Sequence, residues 1–88
     1  MDARDKKKLT KNFVRLVAET PAEPVVKYLV DKCILSDDNA EDILYQNTEK
    51  NKVRQLLLTL IRRGPKAYST FVEALRLSDC ISLADILE

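Results

Sequence analysis

The sequence predicts an all-α fold, a bundle of six helices, and three observations carry that expectation. Apolar residues recur at i, i+3, i+4 and i+7 in one stretch after another, with no strand-like pattern. One glycine and three prolines among 88 residues leave little turn chemistry for an all-β chain. Residues that start or stop helices punctuate the apolar stretches at short intervals. At this length the chain is one small domain, with residues 1–88 sharing one core.

The strongest element is the fourth helix. Thr48 can cap its N-terminal N–H groups, and Val53, Leu56, Leu57, Leu60 and Ile61 share one broad face. Arg62 and Arg63 suit the negative end of its dipole, and Gly64 would allow the left-handed turn that ends it. Pro65 suits the first position of a fifth helix, to about Leu75, whose stripe is Tyr68, Phe71, Val72 and Leu75.

The first helix is expected from about Ala3 to Glu19, with Leu9, Phe13, Leu16 and Val17 inward and Lys8, Lys11 and Arg15 opposite. Pro21 and Pro24 break the chain and let a second helix cover about Glu23 to Lys32. Its apolar residues are Val25, Val26, Leu29 and Val30, and Cys33-Ile34-Leu35 forms an apolar connection pinned on the core. Ser36 caps a short third helix from about Asp37 to Gln46, where Asp37 and Asp38 favour the N-terminal dipole. A last short helix turns Leu83, Ile86 and Leu87 inward after Ser82-Leu83-Ala84-Asp85, which has the form of a capping box.

Composition excludes more chemistry than it offers. Without histidine, a His-assisted Ser or Cys nucleophile cannot be built. Cys33 and Cys80 have neither disulfide-framework nor zinc spacing, so they are expected as small buried hydrophobes in a reduced, cytoplasmic chain. No phosphate loop and no cofactor motif is present. No apolar run nears the ~20 residues of a membrane span. The chain should act by binding another macromolecule.

Net charge is +1, but its distribution is uneven. Arg4 to Arg15 holds six bases against Asp5, Asp37 to Glu49 holds five acids and no base, and Lys50 to Lys66 holds six bases and no acid. A surface of the first and fourth helices would be positive, and one of the second and third negative. Opposite patches favour head-to-tail association and, unless it is capped, open arrays. The same pattern also fits solvated faces that keep a small bundle soluble.

Several stretches resemble the caspase recruitment domain family. MDARDKKKL is similar to its opening, YLVDKCILSDDNAEDI to its second and third helices, and RRGPKAYSTFVEAL with LADILE to its last three. The likeness leans towards the prodomains of initiator caspases and their adaptors. The resemblance implies the death fold, an antiparallel Greek-key bundle of six helices whose first helix is often bent or broken. It implies homotypic binding to another such domain, of an adaptor, an apoptosome scaffold or a caspase, so that procaspases activate by proximity. Carried onto this chain, the basic face falls on Lys11, Lys50 and Arg54, and the acidic face on Asp31, Asp37, Asp38, Glu41 and Asp42. Any protease domain would lie beyond Glu88.

Three positions stay open at this level. Periodicity buries Phe13, where several relatives carry a base, and an exposed Phe13 would add an apolar contact. Arg54 either snorkels at the core margin or anchors a partner carboxylate. Leu58 is either peripheral core or a contact. An adaptor or scaffold parent would offer the acidic face instead. A nucleic-acid-binding domain is disfavoured by the near-zero net charge and acidic third helix. A membrane-surface role is disfavoured because no exposed apolar face flanks Lys6, Lys7 and Lys8.

Overall fold

Asn12 divides the first expected helix in two. The computed structural model describes residues 1–88 as α1 (Ala3–Lys11), α2 (Phe13–Glu19), α3 (Ala22–Asp31), α4 (Asp37–Leu44), α5 (Glu49–Leu60), α6 (Lys66–Leu77) and α7 (Ile81–Leu87). Seven helices therefore replace the expected six. The Asn12 side chain donates to the Lys8 carbonyl at 2.9 Å, an acceptor it shares with its own backbone N–H at 3.2 Å. The Asn12 carbonyl accepts from the Leu16 N–H at 2.9 Å, so the ladder resumes and the break is a bend.

Local chemistry sets the starts of several helices. Asp2 caps α1 by accepting from the Asp5 N–H, and that donor holds its carboxyl below the usual carboxylate range. Thr48 Oγ1 accepts from the Asn51 N–H at 3.1 Å at the head of α5. At α4, Ser36 and Asn39 form a reciprocal capping box. Asn39 Oδ1 also accepts from Arg63 Nη2 at 3.0 Å, which ties α4 to the α5–α6 turn. Pro21 gives α3 no side-chain cap, and Glu49 supplies one from a distance, its Oε2 accepting from the Ala22 N–H at 2.8 Å.

Two helix ends use the left-handed region without glycine. Cys33 has φ 61° and Asp79 φ 62°. After α3 the Cys33 N–H reaches the Val30 carbonyl and the Ile34 N–H the Leu29 carbonyl. After α6 the Asp79 N–H reaches Arg76 and the Cys80 N–H reaches Leu75. Both are Schellman motifs. Gly64, expected in that role, has no positive φ. The chain leaves α5 through tight i to i−3 bonds from Arg62 to Thr59 and from Arg63 to Leu60.

The core gathers one stripe from each helix. Leu9, Leu16, Val25, Leu29, Ile43, Val53, Leu56, Leu60, Phe71, Leu75, Leu83 and Leu87 are all buried. Helix α3 packs against α4, α5 and α6, α2 against α5, and α7 on α6. The Tyr68 hydroxyl, on α6, donates to the Leu87 carbonyl and locks α7 down.

Several expectations give way to this packing. Cys33 is exposed, since its left-handed backbone turns the side chain outward, and Cys80 is half-buried. Ile86 faces solvent, because α7 is short and already seats Leu83, Ala84 and Leu87. Ser82 lies inside α7 rather than capping it, and Cys80 stands at the N-cap with no side-chain bond. Arg62 and Arg63 fall beyond the last turn of α5. Pro65 stands one residue before α6, already with helical dihedrals.

Candidate protein-interaction site

Helix α2 lies against α5, and where they meet the surface sinks. Phe13, Val14, Val17 and Ala18 of α2 and Lys50 and Arg54 of α5 line a hollow of about 220 Å³. Lys50 and Arg54 are one turn apart, so the helical repeat sets both cations on one rim. Arg54 is exposed and its Nη1 donates to Asn51 Oδ1 at 2.7 Å, a neutral partner that leaves its charge uncompensated. Phe13 is half-buried: it packs on the core and also walls the hollow. Lys11 is exposed at the end of α1 and does not line this hollow. Leu58 is exposed further along α5.

The five acids divide into two neighbouring groups. Asp31 and Asp37 rim a groove of about 260 Å³ between α3 and α4, floored by Val26, Val30, Ala40 and Leu44. Glu23 and Lys27 stand on the same groove. Asp38, Glu41 and Asp42 are exposed on the face of α4 opposite buried Ile43. At the C-terminal end of that outward face stands Tyr45, the C-cap of α4.

Ion pairs leave these charges free, as they do most of the chain's charged side chains. The chain's salt bridges join Arg15 to Glu19, and Arg76 to Asp85 and Glu88. None of the eight predicted site residues takes part in one. Glu49, which the charge pattern counted with the acidic stretch, is spent as the cap of α3.

Reading the sequence by its buried faces passes over Val14 and Tyr45. Both are large apolar side chains left 83% and 85% exposed. The signal was present, because each lies off the apolar arc of its own helix. No group of three or more His, Cys, Asp or Glu side chains is placed to hold a metal ion, and no helix is long and apolar enough to cross a membrane.

A helical bundle with two free surface patches of opposite charge, each joined to an apolar depression, is a module for binding another protein. The chain belongs to the caspase recruitment domain family, whose model it matches over residues 6–88. That family has the death fold and serves protein–protein interaction rather than catalysis. The chain is 31% identical over 80 residues to Cell death protein 3 of Caenorhabditis remanei, a match spanning 91% of this chain and 16% of that protein.

Proposed function

We propose that residues 1–88 form a single recruitment domain that brings an initiator procaspase to an adaptor or apoptosome-type platform in apoptosis. In this reading α1 and α2 are the two halves of the first helix of a six-helix Greek key. The α2–α5 hollow, with Lys50 and Arg54 on its rim, receives the acidic face of another caspase recruitment domain, and Lys11 at the end of α1 adds to the basic surface. The chain's own acidic face, Asp31, Asp37, Asp38, Glu41 and Asp42, remains open to a further domain. The observation that carries the reading is that Lys50 and Arg54, free of ion pairs, share the rim of an apolar hollow between α2 and α5. Charges already satisfied internally would have little left to steer a partner. The likeness to a protein named for cell death supports the apoptotic setting, and the free thiols suit the cytosol.

A parent that is an adaptor or scaffold would use the same two faces in the opposite sense, offering α3 and α4 to a caspase. Size exclusion with light scattering, on the domain mixed with an adaptor's recruitment domain, tests the assignment. A complex that forms with the wild type and is lost with a folded Lys50→Glu/Arg54→Glu variant supports it. Unchanged assembly would move docking to the acidic face.

A further inference from the structure

Arg63 is a half-buried cation that no carboxylate of the chain meets. Its Nη2 donates to the neutral amide oxygen of Asn39 at 3.0 Å, and its Nε is shut away from water with no acceptor. A cation drawn partly out of water costs stability unless an anion offsets it, and an unsatisfied buried donor calls for a group that completes the site. Asn39 also holds the guanidinium in place, so its planar fork is set before any ligand arrives.

Arg63 borders a depression of about 440 Å³, with Cys33 and Ile34 on one side and Pro65, Lys66 and Ala67, at the head of α6, on the other. Its lining holds two cations, Arg63 and Lys66, and no acid. Asp31 and Asp37, on either side of the Cys33-Ile34 connection, line the α3–α4 groove instead. The start of α6 adds to the positive field. Pro65 gives it no side-chain cap, and the Lys66 N–H has no acceptor, so a twelve-residue helix presents its positive end there. The volume lies within the ~300–1,000 Å³ of small-molecule sites, and Ile34, Pro65 and Ala67 supply an apolar wall.

We propose that this depression binds a small soluble phosphate monoester, its phosphate held by Arg63, Lys66 and the first turn of α6 and its organic part against Ile34, Pro65 and Ala67. A guanidinium fork, an ammonium and the free N–H of a helix start make a donor set suited to phosphate oxygens. The site shares no residue with the α2–α5 hollow or the α3–α4 groove, so it stands whether or not those faces dock a partner. A bound phosphate offsets the Arg63 charge and ties the end of α5 to the start of α6.

Amide NMR titration of the isotope-labelled protein with phenyl phosphate, at constant ionic strength, tests it. The expected result is saturable shifts at Cys33, Ile34, Gly64, Lys66 and Ala67 that sodium chloride does not reproduce, with a higher urea midpoint in the presence of the probe. Lys66→Ala, at an exposed position, should fold normally and bind about tenfold more weakly, and Lys66→Arg should keep most of the affinity. Arg63→Lys keeps the charge but loses the fork, and should also bind more weakly. Shifts that never saturate, or that centre on Lys50 and Arg54, overturn the site. So does an unchanged affinity in Lys66→Ala. Phenyl phosphate binding no better than inorganic phosphate overturns the ester as ligand. Phosphatidic acid vesicles carry the same group on a lipid, and binding to them with none to phenyl phosphate overturns the soluble source.

Discussion

Cys33→Gly should stabilise this domain, although glycine replaces a larger side chain. Cys33 sits at φ 61°, where a Cβ meets the following carbonyl at a cost of about 1–2 kcal/mol. Its side chain is exposed, so removing it forfeits little packing. Both Schellman bonds around it are made by backbone groups and survive the change. Against this stands the larger unfolded-state freedom of glycine, about 0.4–1 kcal/mol. The difference leaves a gain of about 0.5–1 kcal/mol, or a rise of roughly 4 °C in Tm for a domain this small. Gly64→Ala is the converse case. Gly64 has no positive φ and a Cβ there would meet nothing within 4 Å, so alanine should add about 0.4–1 kcal/mol by restricting the unfolded chain. Cys33 and Gly64 line one surface depression, so the double variant must be measured rather than summed. Urea denaturation followed by circular dichroism reads all three through the midpoint at constant m. A Cys33→Gly midpoint at or below the wild type, with m unchanged, would refute the strain argument.

Two further outcomes follow from single contacts. Glu49→Ala removes the long-range cap of α3 and should cost about 1 kcal/mol in urea denaturation, with Glu49→Gln losing less, while recruitment-domain binding is unchanged. Burial pushes the Tyr68 phenol up to about 12, with the Asp5 carboxylate adding to the shift. A raised acid pKa means stability that is whole below the unfolded value near 10 and falls as pH rises towards 12. The alkaline loss should shrink in Tyr68→Phe, read by thermal melts across that range beside tyrosinate absorbance.

Much of the fold was legible because burial writes itself into spacing. Val53, Leu56, Leu57 and Leu60 repeat with the helix and are buried, and Ser36 and Thr48 cap the helices they precede. What failed were features set by contacts distant in sequence or by backbone competition. The first helix bends at Asn12, whose side chain joins its own N–H on the Lys8 carbonyl, and an isolated asparagine does not announce that. Arg63 reads as a dipole partner until Asn39 is found beside it, 24 residues away. Gly64 reads as a left-handed cap because glycine is the usual choice, whereas Cys33 and Asp79 take that conformation within their Schellman motifs. At the candidate site the charges could be named from the sequence. Only the packing of α2 on α5 shows that Lys50 and Arg54 flank an apolar hollow which Lys11 does not reach. Glu49 shows the reverse, a charge in the acidic run that serves the fold.

If the Lys50 and Arg54 rim recognises carboxylates on another recruitment domain, charge reversal on both sides should restore what reversal on one side destroys. Titration calorimetry would pair wild type and Lys50→Glu/Arg54→Glu with an acidic partner domain, and with that partner after its acids are changed to lysine. The expected outcome is binding for the two wild types, loss when either side alone is reversed, and recovery when both are. Undiminished binding by Lys50→Glu/Arg54→Glu, or no recovery between the two folded reversed domains, would contradict it.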